Sequence, residues 1–316
     1  MTTCWVVTDG KPGMENQCVG LAEAMGLEPV VKRVRLRAPW KQLSPAVLRW
    51  GNAWANAAGS DPIAPPWPDV LIATGRQSVA SSLAVRRAHP ATFRVQIQDP
   101  GIPPSRFDLV VVPRHDRLRG PNVLVTRGAL HRVTPAVTAA AAARLGPRWA
   151  HLPRPLVAVL VGGNNGAYTM TAAAAAQLGD NLARLARESG AGLLVTPSRR
   201  TGAANEAILR DCLAGLPAEI WDGSGENPYF AYLGLADAIV ATPDSVNMVC
   251  EAATTGKPLY IADLPGGSRK FDAFHHGLRQ DGVTRPFAGR LEHWTYAPLA
   301  DTAAAAAEAW ARINAR

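Results

Sequence analysis

Side chains able to do chemistry gather in short loops that follow apolar runs. Asp9-Gly10-Lys11-Pro12-Gly13-Met14-Glu15-Asn16-Gln17 brings carboxylates, an ammonium and amides together in one stretch. Its glycines and proline predict a tight turn whose backbone amides face a ligand at a helix N-terminus. The Gly-Lys-Ser/Thr ending of a nucleoside-triphosphate loop is absent. In Thr74-Gly75-Arg76-Gln77-Ser78, Gly75 permits close backbone approach, Arg76 suits phosphate or carboxylate, and Ser78 can start a helix. Gln96-Ile97-Gln98-Asp99-Pro100 places Gln98 and Asp99 at a strand end.

The second half repeats the theme. In Val161-Gly162-Gly163-Asn164-Asn165-Gly166-Ala167-Tyr168 the glycines free the backbone beside a helix start, which suits a diphosphate. The spacing is not a dinucleotide fingerprint, and the next strand ends in Val195-Thr196 rather than an acid, which argues against NAD. Thr196-Pro197-Ser198-Arg199-Arg200-Thr201 offers two guanidinium groups there instead. In Thr242-Pro243-Asp244-Ser245-Val246-Asn247-Met248-Val249-Cys250-Glu251, Asp244 or Ser245 can cap a helix that carries Glu251 two turns on. Such a helix aims its N-terminus at phosphate while Glu251 accepts from ribose hydroxyls. His275 and His276 point about 100° apart on a helix, so they are not read as a metal pair, and no Asp-x-Asp metal site is present.

Loops of this kind need a doubly wound sheet, because ligands bind at the carboxyl ends of parallel strands. Short apolar runs supply those strands at Cys4–Thr8, Val30–Leu36, Val70–Ala73, Phe93–Ile97, Leu109–Val112 and Val123–Thr126. Helices are expected at Gln17–Met25, Pro45–Ala58, Ser78–Ala88 and Thr134–Leu145. The proline-rich stretch Asp61–Pro68 reads as an exposed loop. Gly146–Pro155 reads as a linker, dividing the chain into domains of 1–150 and 151–316. Beyond it, strands are expected at Leu156–Val161, Gly192–Thr196, Glu219–Trp221, Ala238–Ala241 and Leu259–Ala262. Helices are expected at Thr171–Ser189, Ala203–Leu213, Val246–Thr255 and Asp301–Asn314, the last able to pack on either domain. Continuous apolar strands alternating with helices imply parallel sheets covered on both faces. The expected class is α/β, with two doubly wound Rossmann-like domains facing a cleft.

Composition narrows the partners. The 316 residues are 47% hydrophobic and 18% charged, enough for two packed cores. The longest apolar runs are too short to span a bilayer, and the N-terminus has no basic region of a secretory signal, so a cytoplasmic protein is expected. Cys4, Cys18, Cys212 and Cys250 form no metal-spaced cluster. Residues 1–150 hold 19 Lys+Arg against 9 Asp+Glu, and residues 151–316 hold 14 against 16. The basic first half suits an anionic membrane surface at its inner face or a lipid-linked acceptor; no nucleic-acid module accompanies it.

The segment of helix cap, Glu251 and Gly256-Lys257-Pro258 resembles the donor-nucleotide motif of GT-B glycosyltransferases, including the lipid-linked N-acetylglucosaminyl transferase of peptidoglycan synthesis. More of the chain resembles the mitochondrial-fission "elongated mitochondria" family. Residues 9–17, 74–78, 98–100, Pro113-Arg114-His115-Asp116, 162–165, 198–201 and 244–251 carry that similarity. Bacterial members have been labelled nucleoside-diphosphate-sugar epimerases or glycosyltransferases; plant members act outside mitochondria by recruiting a dynamin-related protein. The resemblance implies a GT-B-like fold and a nucleotide-diphosphate sugar as donor substrate, with no further cofactor and no metal. Glu251 would then hold ribose, Ser245 and the helix amides phosphate, and Arg199 or Arg200 the departing diphosphate, while Gly162, Gly163 and Asn164 line the cleft. The first loop lacks the Gly-Gly-Thr-Gly-Gly-His pattern of the peptidoglycan enzyme, so Asp9, Glu15 and His115 stand as candidate general bases. An epimerase on the same fold and a non-catalytic adaptor for a protein or membrane are the alternatives.

Overall fold

A computed structural model describes residues 2–43 and 55–316. The chain forms two compact units, residues 1–132 with 300–316, and residues 133–299. The helix expected at Pro45–Ala58 falls mostly on residues 44–54, outside the described residues.

The first unit carries β1 (Cys4–Thr8), α1 (Pro12–Ala24), β2 (Pro29–Arg33), the short α2 (Trp40–Leu43), β3 (Val70–Thr74), α3 (Val79–Ala88), β4 (Phe93–Ile97), β5 (Leu109–Pro113) and β6 (Val123–Thr126). Its sheet runs in the order β2-β1-β3-β4-β5-β6, with every pairing parallel. Side chains alternate across a strand, and both faces here are apolar. Cys4 and Val6 of β1 pack with Leu21 and Ala22 of α1, whereas Trp5 and Val7 pack on the opposite face with Val85 of α3. Between β2 and β3, the Asp61–Pro68 stretch has no regular structure and half of its residues are exposed, though Trp67 leans on Trp5 with centroids 6.0 Å apart.

The second unit carries α4 (Pro135–Leu145), β7 (Leu156–Val161), α5 (Ala172–Ser189), β8 (Gly192–Pro197), α6 (Ala203–Cys212), β9 (Ala218–Ile220), α7 (Tyr229–Leu235), β10 (Ala238–Ala241), α8 (Val246–Ala253), β11 (Leu259–Ile261), α9 (Arg269–Gln280) and β12 (Thr284–Pro286). Its sheet is also parallel, in the order β12-β11-β10-β7-β8-β9. Val157, Val159 and Val161 of β7 pack against Leu178, Leu182 and Leu185 of α5. The final helix, α10 (Asp301–Asn314), returns to the first unit. There Ala305, Ala306 and Ala309 complete the core around Leu21, and the Trp310 indole donates to the Met25 carbonyl at 3.1 Å.

Three expectations are corrected. The chain divides at 132/133 rather than after 150, because α4 packs on α7 and Trp149 is buried edge-on against Tyr232, 4.9 Å away. Gly146–Pro155 therefore belongs inside the second unit. The first helix begins at Pro12, five residues early, since proline at the first helical position sacrifices no hydrogen bond. That moves Glu15 and Asn16 from the loop onto α1. Third, α7 and β12 were not anticipated, and the helix carrying His275 and His276 was given no bounds: α7 follows a Gly/Ser/Pro-rich loop, α9 is strongly polar, and β12 is a three-residue edge strand ending in proline.

Candidate functional site

Both units present their polar loops at the carboxyl ends of their strands. In the first unit, Asp9 follows β1 and Gly10 turns the chain at φ +80°. Asp9 binds the Lys11 ammonium at 2.6 Å and accepts from the Gln77 amide at 3.1 Å. Burial pulls the Asp9 carboxyl up, but Lys11, through its ammonium and backbone amide, and Gln77 outweigh it and leave it below the ordinary value. Gln77 also accepts from the Leu36 amide, so the 74–78 loop is tied to the chain after β2.

Met14 joins the neighbouring strand ends. Its thioether sits 3.3 Å from the Gln98 amide and 3.9 Å from the Thr74 hydroxyl, and a Cβ on Gly75 would meet its methyl at 2.7 Å. Gln98 is the one non-glycine residue with positive φ (69°) among the described residues, a strained position at a strand end. Asp99 accepts from the Gly101 amide in a tight turn. Ser78 does not cap α3; its hydroxyl donates back to the Thr74 and Gly75 carbonyls. Arg76 is exposed, Gly13 and Asn16 are half-buried on α1, and Gln17 is buried.

Of the other two candidate bases, one is committed to an ion pair and one lies apart from Asp9. Glu15 is clamped by Arg33 through two bonds of 2.8 Å. His115 lies in the turn after β5, three strand spacings from β1, roughly 14 Å.

In the second unit the cluster centres on Asp244, whose side chain is fully buried. Its carboxylate accepts from the Gly163 amide (3.0 Å) and the Thr242 hydroxyl (2.6 Å), and pairs with Arg200 at 2.7 Å. The Gly162 amide donates to Thr242 Oγ1. Any Cβ on Gly162 would lie 2.1 Å from Asp244, and one on Gly163 2.0 Å from the Arg200 carbonyl. The glycines thus admit the chain itself, and their amides are already engaged. Asn164 and Asn165 lace the same loop: Asn164 accepts from the Met170 amide, and Asn165 donates to the Asp244 carbonyl at 2.7 Å. Ser198 and Thr201 donate to the Gly162 carbonyl.

Beside this framework lies a cavity of about 450 Å³ over the ends of β7, β8 and β9. Ser198, Arg199, Glu206, Trp221, Asp222 and Tyr229 line it, with Met248 from α8. Arg199, unlike Arg200, has no ionic or hydrogen-bonded partner among the described residues. Ser245 caps α8 by accepting from the Met248 amide, and Asn247 lies in the first turn. Behind Met248, Glu251 accepts from the Tyr229 hydroxyl at 2.6 Å. Burial pushes the Glu251 carboxyl up to about 7, and the Tyr229 bond offsets only part of that rise. His275, buried under the same loop, meets the Pro243 carbonyl through Nε2 at 2.8 Å, while His276 faces solvent. Among the described residues, no group of three or more His, Cys, Asp or Glu could hold a metal ion.

Sequence reasoning missed Tyr229, Trp221, Asp222 and Glu206. The first belongs to the unanticipated α7; the others follow an edge strand or sit one turn into a helix, where no glycine marks them.

The arrangement has relatives. The pattern of the Mitochondrial fission ELM1 family matches residues 12–313. This chain belongs to that family. It is 31% identical to the Mitochondrial fission protein ELM1 of Arabidopsis thaliana, over 98% of this chain and 91% of the relative. An uncharacterized protein of Rickettsia prowazekii is 27% identical over 73% of this chain and 76% of its own length. Among solved structures, Acinetobacter baumannii MurG superposes with a TM-score of 0.51 at 16% identity, covering 90% of this chain and 85% of that one. A UDP-GlcNAc 2-epimerase of Methanocaldococcus jannaschii, in complex with UDP-GlcNAc and UDP, gives 0.53 at 9% identity, covering 98% of each. At such identities the likeness is one of fold, and this chain has the GT-B-like architecture of two doubly wound units. No described helix is long and apolar enough to cross a membrane.

Proposed function

We propose that this ELM1-family chain binds a nucleoside-diphosphate sugar in the cavity of its second unit and transfers the sugar to an anionic or membrane-associated acceptor. The observation that carries this reading is the cavity itself, where a free guanidinium and a capped helix N-terminus adjoin a paired carboxylate. Arg199 and the first turn of α8 neutralise the diphosphate, leaving no step that requires a metal. Glu251, in its ionised form, accepts from the ribose hydroxyls, with Tyr229 fixing its orientation. Asp244, Arg200 and Gly163 hold the loop rigid behind the ligand. Asp9, already ionised, is the residue of the first unit suited to accept an acceptor proton, with Lys11 as its counter-ion.

The acceptor's charge follows from the distribution of the protein's own. The first unit holds 19 Lys+Arg against 11 Asp+Glu, whereas the second is balanced at 14 and 14. That same asymmetry favours a second reading, an adaptor that docks on an anionic membrane surface or protein without catalysis. An epimerase differs from the transferase only in converting sugar nucleotide with no acceptor.

Calorimetry against UDP-, GDP-, CMP- and ADP-sugars, with Glu251→Ala as control, tests the leading reading. Binding of one donor, lost in the variant, supports it; no binding at millimolar donor overturns it. Product analysis without acceptor then separates transferase from epimerase. The adaptor reading requires that Glu251→Ala leave membrane or partner binding intact while neutralised first-unit arginines abolish it.

A further inference from the structure

The cavity is longer than a diphosphate needs, and its far end has a chemistry of its own. It runs from Met248 of α8 past the ends of β7 and β8 to Trp221 and Asp222 beyond β9. From β7 to β9 that crosses two strand spacings, roughly 10 Å, about the reach of a nucleoside. At the β9 end the chain forms a fixed turn. The Trp221 indole donates to the Ser224 carbonyl at 2.9 Å, and Ser224 donates through its hydroxyl (2.7 Å) and amide (2.8 Å) to one oxygen of Asp222. Those bonds hold the Asp222 carboxyl below the usual carboxylate value and leave its Oδ2 open. Glu206, in the first turn of α6, also lines the cavity, and its carboxylate has no partner among the described residues.

A flat indole suits any base, but two carboxylates do not. Ionised carboxylates only accept hydrogen bonds. Uracil sets a single N–H between two carbonyl oxygens, which such groups repel. Adenine and cytosine each set an amino group beside an acceptor nitrogen. Guanine alone offers two adjacent donors, N1–H and the N2 amino group. We propose that the base end of this cavity is built for guanine, with Asp222 and Glu206 accepting from N1–H and N2–H2 and Trp221 stacking on the ring. The inference rests on the nucleotide-binding reading above and specifies the donor as a guanosine diphosphate derivative. It also sets this chain apart from the Methanocaldococcus jannaschii epimerase, solved in complex with UDP-GlcNAc and UDP.

Titration calorimetry of the intact chain with GDP, UDP, ADP, CDP and xanthosine diphosphate tests it. GDP should bind at least about tenfold tighter than UDP. Asp222→Asn should weaken GDP by about tenfold, leave UDP unchanged and improve xanthosine diphosphate, whose C2 carbonyl accepts from the new amide. Glu206→Gln should likewise weaken GDP and spare UDP. Tighter binding of UDP, ADP or CDP than GDP overturns the guanine assignment while leaving a nucleotide site in place. No binding of any nucleotide overturns the reading beneath it. A loss of GDP and UDP alike in Asp222→Asn, with unchanged melting, also overturns the assignment, because the carboxylate would then not read the base.

Discussion

The two carboxylate clusters occupy equivalent ends of two parallel sheets and are built on opposite principles. Asp244 is sealed, and its partners are the Gly163 amide, the Thr242 hydroxyl and the Arg200 guanidinium, all of its own unit. Asp9 is also shielded, but its counter-ion Lys11 has 71% of its side chain in water. The first arrangement ties up its loop and claims Arg200, while the neighbouring Arg199 is left without a partner among the described residues. The second keeps a charge ready at a surface. A polar cluster at a strand end is therefore not itself a binding site; what matters is which members are left uncommitted.

That contrast can be broken most forcefully at the glycines. Gly163→Ala drives a methyl into the Arg200 carbonyl in a backbone conformation that side chains rarely adopt. It should cost about 4 kcal/mol in thermal or chemical denaturation. Gly75→Ala meets only the flexible end of Met14 and should cost about 1–2 kcal/mol. Equal losses would mean that both loops are packed alike.

Asp244→Ala comes next. It strands Arg200, the Gly163 amide and the Thr242 hydroxyl, and should destabilise by roughly 3 kcal/mol. Denaturant unfolding with an unchanged midpoint would contradict the role assigned to it.

Glu251 sharpens the comparison through pH. Its folded carboxyl holds a proton up to about 7, whereas the unfolded chain releases it near 4.5. The folded state therefore binds the extra proton between those values, and stability falls as pH rises through that window. Glu251→Gln removes the loss: the variant should match the wild type near pH 4 and exceed it at pH 8, by roughly 2 kcal/mol. Donor affinity in the wild type should rise over the same interval, because only the carboxylate can accept both ribose hydroxyls.

The smallest effect belongs to the exposed pair. Lys11→Ala should change the melting midpoint by less than about 1 kcal/mol equivalent, since an ammonium so exposed to water contributes little. A much larger change would make the first cluster structural, like the second.

Much of this was legible in the sequence. Continuous apolar strands such as Cys4–Thr8 and Leu156–Val161 announced parallel sheets, and Asp244 or Ser245 as a cap, with Gly256 as a stop, bounded α8 closely. The glycine loops were also visible, but their purpose was not. Gly162 and Gly163 look the same in sequence whether they admit a phosphate or the Asp244 carboxylate, because the partner comes from a distant strand. Arg199 and Arg200 are adjacent, yet only one is claimed by an ion pair. Trp221 and Asp222 carried no signal, since an aromatic beside an acid after a short edge strand resembles any surface turn.

The return of α10 fixes an order of events at the ribosome. The core around Leu21 cannot close until Ala305 and Ala309 have emerged, whereas residues 133–299 form a contiguous stretch that needs nothing made later. The second unit can thus close on the nascent chain while the first keeps an open seam at its Leu21 face until α10 has emerged.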